Sequence, residues 1–173
     1  MRLPTALAFL GLAASLAGAG CADGVDDAAP GPGGSVDARV VRVVDGDTVV
    51  AKLAGGSRER VRYIGIDTPE SVKPGTPVQC FAEAASRRNE ALVEGRLVVL
   101  RLDAERRDRY GRLLAYVYRR PDGLFVNAAL VREGYAETLR IAPNTAHAGE
   151  LSRLERAARE RSAGLWGACP EAP

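Results

Sequence analysis

The sequence predicts an α+β domain dominated by a five-stranded closed β-barrel with about three packed helices, spanning residues 37–169. Three observations predict it. Five short runs have β character, a helical run follows the third of them, and two further helical runs close the chain.

Residues 37–44, DARVVRVV, alternate apolar and polar positions as a half-buried strand does. Asp45-Gly46-Asp47 is a tight turn, with Gly46 free to take positive φ. Thr48 to Leu53 continues as a second strand, Ala54 to Ser57 is a Gly-rich turn, and Glu59 to Ile66 reads as a third strand. Three linked strands suggest a meander. In Thr68 to Gln79, TPESVKPGTPVQ, the prolines forbid regular structure, leaving a long loop beside the acidic turn residues. Cys80 to Glu94 is helical, with Ala82, Ala85, Leu92 and Val93 on its apolar side. Arg96 to Leu102 and Leu113 to Tyr118 are β-rich, and the DAERRDRYGR between them is a charged loop. Val126 to Glu133 is a short helix with Asn127 near its start. Ala146 to Ser162 is a longer amphipathic one carrying Leu151, Leu154 and Ala158. Gly164 ends it, leaving Leu165 and Trp166 to pack as a lid. This order suits a barrel of the OB type with helices against it; pattern alone also admits an α+β sandwich.

The N-terminal part has a different character. Residues 1–20 place Arg2 before an apolar Ala6–Gly20 stretch, the pattern of a signal peptide and shorter than a comfortable membrane span. Ala19 and Gly20 lead into Cys21 as small residues do before a lipid-modified cysteine, although Gly18 stands where leucine is usual. Ordinary cleavage after Ala19 is the alternative. Residues 21–36 then form a lipidated cysteine and a Gly/Pro/acidic tether, and residues 170–173 a tail. The expectation is an exported protein, lipid-anchored to a membrane at the cell envelope or otherwise secreted, acting as a monomer. With Cys21 so assigned, Cys80 and Cys169 remain as an even pair in an oxidising compartment, and a disulfide between them is expected; two free thiols are the other possibility.

Composition narrows the chemistry. Hydrophobic residues make up 46% and charged residues 27%, enough apolar material for a packed core. A formal charge of +2 makes global attraction to polyanions weak, so any basic site must be local. His147 is the single histidine, which excludes zinc sites built on several imidazoles. Lys52 and Lys73 are the only lysines. Carboxylates, arginines and a hard cation are what remain.

Asp47 leaves a strand-connecting turn, and Asp67 ends the third strand before Thr68-Pro69-Glu70. If strands two and three are neighbours, these carboxylates meet on one rim, where their repulsion calls for a cation; oxygen ligands select Ca²⁺ or Mg²⁺. Pro69 holds Thr68 extended, which would turn its carbonyl toward the same ion. Arg112 follows Tyr110-Gly111 at the start of the fifth strand. A guanidinium matches phosphate with paired hydrogen bonds and keeps its charge when desolvated. Arg62 poses a difficulty. Five residues before Asp67 on one strand, it falls on the opposite face, and only a bulge or strong twist would unite the two. Each of these residues also has a purely structural reading, as turn, helix cap or solvated strand position. His147 reads as a helix-start residue, and the tyrosines as barrel packing.

The motifs VVDGDTV (43–49), VRYIGIDTPE (61–70), DRYGRLLAYVY (108–118), VNAALVREGYA (126–136) and the closing GLWGAC resemble the thermonuclease family, the staphylococcal nuclease-like proteins. The resemblance implies an OB-fold barrel and Ca²⁺-dependent cleavage of DNA and RNA phosphodiesters leaving 3′-phosphate ends. It implies Asp47, Asp67 and the Thr68 carbonyl as metal ligands, with Asp45 close behind them. Glu70 corresponds to the glutamate that orients or deprotonates water, Arg62 and Arg112 to phosphate-contacting arginines, and Tyr110 to a tyrosine near the nucleotide. The segment after Tyr135, AETLRIAPNTAH, departs from the pattern, with Leu139 or Arg140 where a base-stacking tyrosine is expected. Lys73 alone represents the lysines expected in the loop after Glu70. The alternative is a non-catalytic OB-fold surface lipoprotein that binds nucleic acid.

Overall fold

The computed structural model describes residues 33–71, 75 and 77–169. The expected signal peptide, Cys21, most of the tether, Lys73 and the tail lie outside these residues.

Five strands close into a barrel: β1 (Ser35–Val43), β2 (Thr48–Leu53), β3 (Arg58–Tyr63), β5 (Leu97–Arg101) and β6 (Leu113–Arg119), in the order β1-β2-β3-β6-β5. All neighbours are antiparallel except β3 and β6, which run parallel with Val61 opposite Leu113. The strands alternate as the sequence predicts. Val49 and Ala51 of β2, Val61 and Tyr63 of β3, and Val98 and Leu100 of β5 are buried, so each strand turns one face inward. Full closure removes sheet edges and sets aside the sandwich. Leu100, completely buried, is representative of the core: truncation to alanine costs about 2–5 kcal/mol in such positions.

Three helices pack on the barrel: α1 (Ala82–Val93), α2 (Val126–Arg132) and α3 (Ala148–Glu160); α4 (Leu165–Ala168) is one further turn where the sequence predicts a lid. Leu165 is buried, and its N–H donates to the Gly134 carbonyl at 2.9 Å. Gly134 and Gly164 meet so closely that a Cβ on Gly134 would lie 2.1 Å from the Ala163 carbonyl oxygen. Cys80 and Cys169 form a disulfide across 89 residues, tying the C-terminal turn to the start of α1.

Two expectations need correcting. β1 begins at Ser35, because Ser35 and Val36 pair with Arg101 and Leu100 and so belong to the barrel and not to the tether. The third strand does not run on to Ile66. It stops at Tyr63, Ile64 and Gly65 turn with Gly65 at φ +81°, and Ile66–Asp67 form a separate strand, β4. β4 pairs with β7 (Glu137–Thr138) in a two-stranded sheet, Asp67 opposite Glu137. Buried Asn127 fixes the turn from beneath: its Nδ2 donates to the Ile64 carbonyl at 2.8 Å, while its Oδ1 accepts from the Val117 N–H at 3.0 Å.

Candidate active site

The turn between β1 and β2 presents Asp45 and Asp47. The Asp47 N–H donates to Asp45 Oδ1 at 3.0 Å, and the Asp45 carbonyl accepts from Asn89 Nδ2 at 3.1 Å, so α1 holds the turn. Asp47 is buried and its oxygens are well supplied. Oδ1 accepts from Thr48 Oγ1 at 3.0 Å, and Oδ2 accepts from the N–H and Oγ1 of Thr68 at 2.9 and 3.0 Å. This is why position 46 is glycine. A Cβ there would come within 2.6 Å of Thr68 Oγ1, and the two loops could not lie so close.

The turn at Ile64–Gly65 resolves the difficulty over Arg62. By redirecting the chain it carries Asp67 back over β3, where Asp67 Oδ1 accepts from Arg62 Nη2 at 2.5 Å. Arg62 Nε lies 3.2 Å from Asp47 Oδ1, and its Nη1 donates to the carbonyls of Ile66 and Tyr63 at 2.8 and 3.0 Å. One guanidinium is therefore locked against two carboxylates and two carbonyls. Arg112 is fixed more simply. Its Nε donates to Asp108 Oδ2 at 2.6 Å and its N–H to Asp108 Oδ1 at 3.0 Å.

Asp45, Asp47, Asp67, Thr68, Glu70, Arg62 and Arg112 all line one pocket of about 180 Å³, together with Thr48 and Pro69. A second cavity of about 470 Å³ shares Arg62 and Arg112 with it and is walled by Ile66, Leu114, Leu139, Ile141 and Tyr110. Of the two residues expected to replace a stacking tyrosine, Leu139 reaches this cavity and Arg140 does not line it. Tyr110 is exposed, with the Arg109 and Arg112 guanidinium groups 4.8 and 5.4 Å from its ring centre. His147 stands apart from both pockets, packed against Tyr116 and Phe125 and paired with Glu150.

The electrostatics of the pocket are those of crowded acids. Burial, then the adjacent Asp47, push the Asp45 carboxyl up to about 6. Burial likewise raises Asp67 against the attraction of Arg62, with Asp47 and Glu70 adding to the rise. Glu137 is a neighbour of the site that the sequence does not announce. Across the β4–β7 pair it faces Asp67 directly, and burial followed by the Asp67 charge raises it as well. A two-residue strand has no periodicity to read, so no local signal marks it. A cation would relieve this repulsion, and the donors are all oxygen, which suits a hard ion such as Ca²⁺. Among the described residues no three acidic, His or Cys side chains converge into a ready-made cage.

Residues 60–168 match the family model described as "Staphylococcal nuclease homologue". The chain belongs to this family. The match takes in Arg62, Asp67, Thr68, Pro69, Glu70 and Arg112 of the pocket, while Asp45, Asp47 and Thr48 precede it. Among its relatives, the thermonuclease of Staphylococcus intermedius is 40% identical over 73% of this chain and 74% of its own length. The SPbeta prophage-derived endonuclease YokF of Bacillus subtilis is 41% identical over 76% of this chain, and endonuclease YncB of the same organism 39% over 76%. The chain spans 44% of the length of YokF and 62% of that of YncB.

Proposed function

We propose that this protein is a Ca²⁺-dependent nuclease that hydrolyses phosphodiester bonds of DNA and RNA and leaves 3′-phosphate ends. The observation that carries the proposal is the single polar pocket that gathers the guanidinium groups of Arg62 and Arg112 with the carboxylates of Asp47, Asp67 and Glu70. Relatives named thermonuclease and endonuclease support the same reading.

Asp47, Asp67 and the Thr68 carbonyl would hold Ca²⁺, which when bound supplies Lewis-acid polarisation of a phosphate oxygen. Asp45 supports this set from behind through its bond to the Asp47 N–H. Glu70 orients the attacking water and takes its proton. The new P–O bond forms as the bond to the 5′-oxygen breaks, the leaving 5′-oxygen takes a proton from solvent, and the phosphate stays on the 3′ side. Arg62 and Arg112 hold the negative charge that builds on the non-bridging oxygens. Both are preset for this, Arg62 by its four-point clamp and Arg112 by Asp108, so little reorganisation is needed when charge develops. Tyr110 borders the adjoining cavity, where a nucleoside of the substrate would lie.

Incubating the mature domain with single-stranded DNA and with RNA, in millimolar Ca²⁺ and in EGTA, tests the proposal. Ca²⁺-dependent products carrying 3′-phosphate are expected; no degradation in Ca²⁺ defeats the claim, and retention of the strand without cleavage favours the binding module. We also propose that the protein is exported and anchored through lipidated Cys21 as a monomer. Palmitate labelling that disappears in Cys21→Ser and light scattering at the monomer mass would support this.

A further inference from the structure

The outer face of β1–β2–β3 carries a second, independent pattern of charge. In each strand the residues that alternate with the buried ones point outward, and cross-strand register sorts them into rows. Arg39 lies opposite Lys52, and Lys52 opposite Arg58. In the next row Arg42 and Arg60 flank Val50, and in the next Thr48 lies opposite Arg62. Arg39, Arg42, Lys52, Arg58 and Arg60 are all exposed. Like charges directly opposite one another destabilise a sheet, so this arrangement calls for an explanation.

Several arginines elsewhere in the molecule are neutralised: Arg88, Arg107, Arg119 and Arg120 each hold a carboxylate. Among the described residues none of the five cations on this face has an acidic partner within ion-pair distance. Of the acids between them in sequence, Asp45 and Asp47 line the pocket, and Glu59 lies on the other side of β3 and is taken by Arg107 at 2.8 Å. The face is therefore strongly positive on a chain whose net charge is only +2.

Its geometry points to a linear polyanion. Arg58, Arg60 and Arg62 follow one another on the same side of β3, about 6.6 Å apart at each step, comparable to the spacing of phosphates along an extended single strand. The last of the three is the arginine of the catalytic pocket. We propose that this face is a phosphate track, on which a single-stranded polynucleotide lies across β2 and β3 as it leads into the site. The identity of the ligand rests on the nuclease reading; the charge pattern and its continuity with Arg62 do not. An anionic lipid surface would need a broad patch and gains nothing from a row that ends in a pocket.

The test replaces Lys52, Arg58 and Arg60 together by glutamine and leaves the pocket untouched. Binding of a fluorescein-labelled oligothymidylate of about 16 nucleotides, the upper range for one such barrel, is followed by anisotropy in EDTA, with gels showing the strand intact. The triple variant is expected to bind several-fold more weakly. Its plot of log affinity against log salt should be shallower by about 2, from about 0.7 for each single-strand phosphate that no longer meets a cation. In Ca²⁺, KM for the long strand should rise while kcat/KM for a dinucleotide stays at the wild-type value. Equal affinity and equal salt slope in the two proteins overturns the track, whether or not the wild type cleaves. Failure of the wild type to cleave either substrate sinks the nuclease reading instead. Weaker binding of the variant to phosphatidylglycerol vesicles with unchanged oligonucleotide binding would make the face a membrane surface, and the proposal would fall.

Discussion

Arg62→Gln separates the two duties that the structure gives this side chain. As a clamp, Arg62 donates to two backbone carbonyls, and its ion pair with Asp47 joins side chains that are 12% and 7% exposed. Each hydrogen bond from a charged donor contributes about 1.5 kcal/mol, and breaking a buried ion pair costs about 3–5 kcal/mol. The pair with Asp67, whose side chain is 46% exposed, adds less than about 1 kcal/mol. Glutamine can restore part of this, so a net loss of about 4 kcal/mol is expected, which lowers Tm by roughly 15 °C in a domain of this size. As a phosphate ligand, Arg62 should also account for about 10²–10³ in kcat. Arg112→Gln is the control. Its carboxylate partner is a partly exposed neighbour four residues away in sequence, so kcat should fall as far while stability falls by only about 1 kcal/mol. Differential scanning calorimetry and steady-state cleavage below both melting temperatures read the two effects. If the two variants melt together, the clamp has no structural weight; if folded Arg62→Gln turns over at the wild-type rate, its guanidinium does not meet the phosphate.

Reducing the Cys80–Cys169 disulfide, which closes 89 residues, should lower stability by about 4 kcal/mol, less if the reduced chain retains structure; melts with and without dithiothreitol, alongside thiol titration, check this. Gly134→Ala would drive a Cβ into the Ala163 carbonyl at φ +77° and should cost at least about 3 kcal/mol, measured by urea unfolding. Asn127→Ala strands the buried Ile64 carbonyl and Val117 N–H. A loss of about 2–5 kcal/mol is expected, with kcat falling as the turn that delivers Asp67 loosens. Burial pushes the Asp108 carboxyl up, but the Arg112 side chain and the N–H groups of Arg112 and Tyr110 outweigh it and hold Asp108 below the usual carboxylate range. Hydrogen bonds from Arg107 do the same for Glu59. Both contributions to stability are therefore complete above the unfolded value near pH 4 and are lost as pH falls through the lower folded values. Asp108→Asn should flatten the acid limb of a stability–pH curve below about pH 5, and an unchanged limb would contradict this.

The sequence by itself determined the five barrel strands, the order of strands and helices, and the residue types of the site. Those features rest on short-range pattern: alternation in β2 and β3, the Asp45-Gly46-Asp47 turn, helical spacing around Leu151. What it could not determine was who meets whom. Arg62 and Asp67 belong on opposite faces of any regular strand, and they meet because Asn127, 63 residues from Ile64, secures a turn at Ile64–Gly65 that no local preference compels. Glu137 joins the site through a strand of two residues, too short to carry a period. The basic face needed cross-strand register as well: Arg39, Lys52 and Arg58 are scattered in the sequence, and only the pairing of β1, β2 and β3 sets them in one row, from which Arg58, Arg60 and Arg62 lead along β3 to the pocket.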